Sequence, residues 1–136
     1  MTSGEPMDNK TLTRNFYEAL TEGRLEAIDE LVAEDFVEHE VTPADAEGRD
    51  GMRELFTALH AAFSDFAMNI EDMVAEGDKV FVRATMQGIQ RAEFMGIPSK
   101  GKPMLVPVAD VMRFEHGRIA EHWGVMDTGQ LMEQLL

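Results

Sequence analysis

The spacing of the apolar residues changes once along this chain, and the change limits the folds that the chain can adopt. Before about residue 65 they recur mainly every three or four positions, as on amphipathic helices, and from Phe66 onward they alternate with polar residues, as on strands. Helices first and an antiparallel sheet afterwards predict an α+β fold, in which a curved sheet wraps three N-terminal helices and a short C-terminal helix follows. With 136 residues, 44% of them hydrophobic, we expect one domain spanning residues 1–136.

The first half of the chain predicts three helices and one short strand. Asp8 is placed to cap the first helix, which Gly23 ends. The second helix is expected over residues 24–33, and the third, of about 13 residues, begins near Asp50. Residues 35–41 are expected to form a strand between them. Its sides alternate, with Phe36 and Glu38 on one and Val37, His39 and Val41 on the other.

Two β-hairpins are predicted to form most of the sheet. The first pairs residues 67–76 with 79–87, and the second pairs 104–114 with 118–125 around the turn signal Glu115-His116-Gly117. Asp110 falls on the same face as Val108 and Met112. A carboxylate therefore lies in an apolar row.

The residue opposite Asp110 depends on the turn of the second hairpin. A three-residue loop with Gly117 in the left-handed conformation pairs Phe114 with Arg118 and places His122 opposite Asp110. A two-residue His-Gly loop places Trp123 there. We favour the first loop because it gathers the apolar residues of both arms on one inner face. Trp123 then faces outward, where a large ring suits a dimer interface.

Composition and missing motifs exclude several kinds of partner. A net charge of −14 argues against nucleic acid and anionic membranes. The chain has no cysteine, no apolar run of the roughly 18 residues that span a bilayer, and no basic-then-apolar start over residues 1–7, so we expect a cytoplasmic protein. No GxSxG, P-loop or dinucleotide fingerprint is present, which argues against serine hydrolases and nucleotide-binding enzymes. The Glu38-His39-Glu40 triplet cannot chelate one metal from a straight strand, and we predict no metal site.

Five stretches carry a family resemblance that covers nearly the whole chain. They are NFYEALTEGRLEAIDELVAEDFVEH, GRDGMRELFTALHAAFSDF, IEDMVAEGDKVFVRATMQG, EFMGIPSKGKP and DVMRFEHGRIAEHWGVMD. In their order and spacing the chain resembles the SnoaL-like polyketide cyclase, or ester cyclase, branch of the nuclear-transport-factor-2-like superfamily. The resemblance implies a cone of curved antiparallel sheet closed by the helices, an apolar pocket inside, and often a dimer through the sheet.

The resemblance also implies a reaction, and the chain departs from its pattern. Cyclases of this family are expected to catalyse an intramolecular aldol reaction of a polyketide ester with an acidic residue on the last long strand, without metal or cofactor. By the match around MRFEHGRIAEHWG, that acid falls at Gly124, which cannot move a proton. The partner position on the preceding strand, a histidine in some cyclases, matches Asp110.

The candidate catalytic residues are Asp110 and His122. A carboxyl among apolar side chains loses solvation, as general bases in apolar pockets do, although a structural aspartate bonded to the backbone or to Arg83 is the alternative. An imidazole beside it is suited to relay a proton near neutral pH. The residues that we expect to bind the ligand are His39, Phe16, Leu20, Met112, Gly124 and Met126.

These residues favour a cofactor-free proton-transfer enzyme of the cyclase or isomerase type. Its substrate is expected to be a hydrophobic oxygenated small molecule, and the protein is expected to be a homodimer. Two alternatives stay open. One is a non-catalytic protein that only binds an apolar small molecule, which Gly124 favours, and the other is an epoxide hydrolase-like enzyme.

Overall fold

The computed structural model describes residues 8–136, so the polar leader that the sequence predicts over residues 1–7 lies outside the described part of the chain. The elements are α1 (Asn9–Glu22), α2 (Ala27–Leu31), β1 (Val32–Glu38), α3 (Gly48–Ala62), β2 (Phe63–Glu76), β3 (Lys79–Gln90), β4 (Pro103–Glu115), β5 (Arg118–Met126) and α4 (Thr128–Leu135). The predicted α+β arrangement, with helices before most of the sheet, is confirmed. Among the described helices, none combines the length and apolar character that crossing a membrane requires.

The strands form one curved, unclosed sheet in the order β1-β5-β4-β3-β2. The pairs β2/β3, β3/β4 and β4/β5 are antiparallel, as predicted. Strand β1 differs, because it lies parallel to β5 at the edge of the sheet. No hairpin turn joins β1 to β5, so their relative direction is not fixed by a short loop as it is in the other pairs.

Capping residues fix both ends of the first helix at the predicted positions and the start of the last helix. The Asp8 side chain accepts a hydrogen bond of 2.8 Å from the backbone N–H of Thr11, and Gly23 ends α1 in the left-handed conformation with φ 73°. The Asp127 side chain accepts a hydrogen bond of 2.9 Å from the backbone N–H of Gln130 at the start of α4. These caps pair backbone groups that have no partner within their own helix.

The second helix is shorter than predicted, and β1 begins earlier. Helix α2 stops at Leu31, where the sequence predicts helix to residue 33. Val32 is already a strand residue, fully buried and paired with Ile119 of β5. A β-branched side chain loses less rotamer freedom in a strand than in a helix, and the pairing with β5 adds tertiary support that the local pattern does not reveal.

The turn between β4 and β5 is the two-residue loop, so the predicted pairings of Phe114 with Arg118 and of Asp110 with His122 are wrong. Glu115 pairs with Arg118, and both loop residues have positive φ, 53° at His116 and 75° at Gly117. A shift in register between Arg113 and Phe114 then leaves one extra residue, Ala120, in β5. This bulge restores the inner face that the three-residue loop would have given.

The resulting pairs place the polar residues of the hairpin two positions away from the expected partners. Asp110 lies opposite Gly124, His122 lies opposite Met112, and Trp123 lies opposite Val111. Because residues alternate along each strand, Asp110 and His122 share the inner face as diagonal neighbours, and Trp123 points to the outer face as expected.

Candidate active site

A cavity of about 1170 Å³ lies between the inner face of the sheet and helices α1 and α3. Its wall is largely apolar and includes Phe16, Leu20, Met112 and Met126 from the set that the sequence selects for ligand binding. Six of the chain's eleven methionines line it, namely Met52, Met68, Met86, Met95, Met112 and Met126. Flexible thioether side chains let such a wall adapt to ligands of irregular shape.

Asp110 is the centre of a buried polar network on this inner face. Its side chain lies among the core residues with only 5% of the residue exposed. Oδ2 accepts a short hydrogen bond from the hydroxyl of Tyr17 on α1, and Oδ1 lies 2.8 Å from Nε2 of His122 on β5. Both oxygens of the carboxylate are therefore occupied by donors, which offsets the cost of burying its charge.

His122 is held between two carboxylates. Its Nε2 bonds to Asp110, and its Nδ1 makes a short hydrogen bond to Oε2 of Glu38 at the end of β1. Burial alone lowers the pKa of His122, but the hydrogen bonds to Asp110 and Glu38 outweigh it and raise that pKa from 6.5 to about 10. The imidazole is thus protonated at neutral pH, and both ring N–H groups donate.

Tyr17 closes the network on the side of the helices. It is 3% exposed, and its pKa is raised well above 10.0 by burial and by the neighbouring charge of Asp110. The hydroxyl therefore stays protonated and serves as a donor. The network runs from Tyr17 through Asp110 and His122 to Glu38 and joins the four elements α1, β4, β5 and β1.

Glu40 enters the cavity just beyond the end of β1. Its backbone N–H donates a hydrogen bond of 3.1 Å to Oε2 of Glu38, which turns the chain so that both glutamates line the cavity. Burial, together with the charges of Asp110 and Glu38, raises the pKa of Glu40 from 4.5 to about 7, although the charge of His122 opposes this change. This carboxyl can therefore gain or lose a proton near neutrality.

Gly124 does not line the cavity, contrary to its expected place among the ligand-binding residues. A Cβ at this position would lie 2.6 Å from Cε1 of His122 and 2.8 Å from Oδ1 of Asp110, and it would also collide with Oε1 of Glu40. The space next to Gly124 is thus filled by the carboxyl of Glu40, which stands between the glycine and the cavity.

His39 also lies outside the cavity, contrary to its expected place in the cavity wall. Its ring stacks on Trp123 with 4.9 Å between centroids, and its Nε2 lies 2.6 Å from Oε2 of Glu121. The predicted alternation of the two sides is correct, and the side with Phe36, not the side with His39, faces inward. Phe36 is 5% exposed and faces the core, whereas Val37 is 48% exposed and shares the outer side with His39.

One group in residues 8–136 has the spacing of metal ligands. Ligand-type atoms of Glu38, Glu40 and His122 lie within 4.8 Å of one another. The Glu38-His39-Glu40 triplet at the end of β1 cannot act together, because His39 points outward, but its two glutamates meet His122 of β5. Both ring nitrogens of His122 already bond to carboxylates, so the arrangement is that of a hydrogen-bonded network. The absence of a metal site stays a prediction.

Arg83 is not a partner of Asp110. Its guanidinium forms an ion pair of 2.6 Å with Asp72 on the exposed outer side of the β2/β3 hairpin. The alternative of an aspartate held only by Arg83 is therefore excluded, and Asp110 instead bonds to Tyr17 and His122.

Sequence reasoning missed three members of this cluster, Tyr17, Glu38 and Glu40. Tyr17 carried a usable signal, because it is the only tyrosine in the chain and falls on the apolar side of α1, where a buried hydroxyl requires a partner. The glutamates carried none, because acidic residues on an edge strand normally face solvent. Their placement depends on which side of β1 is inner.

Comparisons with known proteins agree with this fold. The family model for SnoaL-like polyketide cyclase matches residues 10–135. TsrD from Streptomyces laurentii has 30% sequence identity and a TM-score of 0.85, covering 95% of this chain and 97% of its own. IdmH, a putative polyketide cyclase from Streptomyces antibioticus, has 32% identity and a TM-score of 0.85, covering 95% and 99%. AclR, a putative hydroxylase from Streptomyces galilaeus, has 26% identity and a TM-score of 0.80, covering 93% of each chain. No curated protein sequence matches significantly.

The curved sheet over helices, with its inner face turned to a cavity, defines a protein of the nuclear-transport-factor-2-like fold. The chain belongs to the SnoaL-like polyketide cyclase family, as the match over residues 10–135 shows.

Proposed function

We propose that this protein is a cofactor-free proton-transfer enzyme of the cyclase or isomerase type, acting on a hydrophobic oxygenated small molecule. The observation that carries the proposal is the buried pair of Asp110 and His122, joined 2.8 Å apart in the wall of an apolar cavity. Buried ionisable groups are costly, and their concentration in a cavity is typical of active sites. IdmH, at 32% identity, is a putative polyketide cyclase, which supports the same class of substrate.

The network suits reactions that pass through an enolate. Removing a proton next to a carbonyl leaves negative charge on the carbonyl oxygen, and a fixed positive charge in an apolar cavity stabilises this negative charge. The positive charge is the imidazolium of His122, which Asp110 and Glu38 hold in place. Tyr17 and His122 together fix the orientation of Asp110. General acid–base catalysis by such groups contributes about 10² to 10⁴ in rate.

A binding protein without catalysis is the second candidate, and Gly124 favours it. The resemblance to cyclases implies an acid at this position, and glycine supplies none. Such a protein would hold an apolar ligand in the same cavity of about 1170 Å³ and use the network only for orientation.

Two measurements separate these candidates. Native mass spectrometry of the purified protein should detect a bound apolar, oxygen-containing compound under both. The protein is then mixed in D₂O with that compound and with a panel of aromatic ketones and polyketide methyl esters. NMR should show deuterium incorporation next to a carbonyl, or a cyclised product, if the protein is an enzyme. If the compounds bind but neither deuterium incorporation nor a cyclised product is seen, the proposed enzymatic function is rejected and the non-catalytic binding function remains.

We further propose a homodimer formed through the outer face of the sheet. An apolar row crosses four paired strands at Val74, Phe81, Val111 and Trp123, and Val125 on the same face is 71% exposed. Apolar patches of this kind on a soluble protein typically mark an interface, and identical chains most often pair about a two-fold axis.

The dimer predicts the effect of a charge placed on this face. Val125→Lys should convert the protein to a monomer, because a lysine at the interface would have to be desolvated without a partner. Multi-angle light scattering at micromolar concentration measures the mass. Ala58→Lys, at an exposed position on α3, is the matched control and should stay dimeric. A wild-type monomer would contradict the proposal.

A further inference from the structure

The backbone at Gly124 leaves room for one carboxyl group, which comes from the segment after β1. Strand β5 turns this residue toward the inner face, opposite Asp110. Any side chain here would begin at a Cβ that overlaps Oε1 of Glu40 and lies 2.8 Å from Oδ1 of Asp110. The glycine is therefore needed for Glu40, Asp110 and His122 to converge. Its φ is not positive, so the requirement comes from space and not from the backbone conformation.

Glu40 differs from the other two carboxylates that surround His122. Asp110 accepts hydrogen bonds from Tyr17 and His122, and Glu38 accepts from His122 and from the backbone of residue 40. Within the described part of the chain, no group hydrogen bonds to the side chain of Glu40. It is partly buried and lines the cavity, so its oxygens are free to meet a bound molecule.

We infer that Glu40 is the catalytic residue that exchanges a proton with the bound substrate, supplying from the segment after β1 the carboxyl that Gly124 lacks. Asp110 and His122 do not exchange a proton with the substrate themselves, because their hydrogen bonds are already made to each other and to Tyr17 and Glu38. This assignment rests on the proposed proton-transfer function and names the group that carries it out.

The step is balanced without any oxidant or reductant. The carboxylate of Glu40 takes a proton from the carbon next to a substrate carbonyl, so the C–H bond breaks and its electron pair forms the enolate. The enolate carbon attacks a second carbonyl of the same molecule and forms a C–C bond. Glu40 returns the proton to the new alkoxide and becomes a carboxylate again. The imidazolium of His122 stabilises the negative charge during both halves.

The surroundings of Glu40 support this use. The charged and titratable groups that act directly on it are Glu38 beside it, Asp110 on β4, His122 on β5 and Tyr17 on α1. Further charged residues line the same cavity, namely Glu34, Asp35, Glu47, Arg49 and Asp50. Burial and the nearby Asp110 and Glu38 disfavour negative charge on Glu40, although the charge of His122 opposes this. The pKa of Glu40 near 7 matches a group that must accept and release a proton at neutral pH.

The first test replaces the carboxyl by its uncharged isostere. Glu40→Gln should lower the rate of deuterium exchange or cyclisation about 100-fold and remove the pH-dependent change in rate centred near pH 7. Glu133→Gln, at an exposed position on α4, makes the same chemical change and should retain the wild-type rate and pH profile. An unchanged rate and profile in Glu40→Gln would overturn the assignment.

The second test moves the carboxyl from the segment after β1 to β5. Glu40→Ala alone should lower the rate about 100-fold, and Gly124→Asp alone should fold poorly because its Cβ would overlap Oε1 of Glu40. The double variant should recover about tenfold over Glu40→Ala, since the aspartate at position 124 can extend into the vacated volume once the side chains of His122 and Asp110, 2.6 Å and 2.8 Å from the new Cβ, have shifted. Failure to recover in a double variant with wild-type circular dichroism would count against the assignment.

The outcomes separate this inference from the function on which it rests. Loss of activity in Asp110→Asn with full activity in Glu40→Gln would keep the enzyme and reject the role of Glu40. Wild-type protein that binds the panel but never exchanges a proton would reject both.

Discussion

Replacing Asp110 by asparagine is expected to lower turnover by about 10² to 10⁴ while leaving the fold intact. The amide has the shape of the carboxyl but only one acceptor oxygen. If that oxygen receives the hydroxyl of Tyr17, the amide N–H₂ faces Nε2 of His122, which is also a donor. The imidazolium loses one of its two anionic partners, and the positive charge that stabilises an enolate is weakened.

The measurement is the rate of deuterium exchange or cyclisation, with circular dichroism to verify the fold. Asp72→Asn is the matched control, because Asp72 pairs with Arg83 on the exposed outer side of the sheet. It should retain the wild-type rate. Full activity in Asp110→Asn would remove the buried network from the mechanism.

The helices and hairpins could be predicted from the sequence because their signals are local. Asp8 and Gly23 act within one turn of the chain, and the ends of α1 lie where the sequence places them. The residues of β3 and β4 that face inward could likewise be predicted, because the apolar side chains of each strand lie on one side. Local chemistry therefore determined most of the fold.

The candidate site could be predicted only in part, because it depends on two choices between faces. On β1, alternation is equally consistent with either side being inner. The side with Phe36 faces inward, and that ring is buried with 5% of the residue exposed. Glu38 lies on the same side of the strand and therefore also points inward. His39 is correspondingly turned toward Trp123. A strand with one aromatic and three acidic residues does not reveal this choice until its neighbour β5 is known.

On the last hairpin, two departures from the expected geometry compensate each other. The two-residue turn shifts the pairing by one residue, and the bulge at Ala120 shifts it by a second residue in the same direction, which returns His122 and Gly124 to the inner face. Asp110 and His122 thus meet, although neither lies opposite the other. A bulge depends on how the strand bends over the core, so a pattern of residues along one strand cannot indicate it.

Removing the imidazole is expected to have the largest effect on stability. His122→Gln should lower the free energy of unfolding by about 3–5 kcal/mol near pH 6, because it leaves Asp110 and Glu38 without their shared cation. The glutamine amide can donate to one carboxylate but brings no charge. Urea denaturation at a series of pH values measures the difference from wild type.

The loss of stability in His122→Gln should depend on pH, because the charge of His122 does. The pKa of His122 is raised in the folded protein from 6.5 to about 10, so its stabilising contribution is complete below pH 6.5 and is lost as pH rises toward 10. The difference between wild type and His122→Gln should therefore be largest near pH 6 and shrink between pH 7 and pH 10. His116→Gln, at the turn tip with 91% of its side chain exposed, makes the same substitution and should show neither the loss nor the pH dependence. A difference that stayed constant over this range would mean that His122 contributes packing alone, and that the cavity contains no fixed positive charge with which to stabilise an enolate.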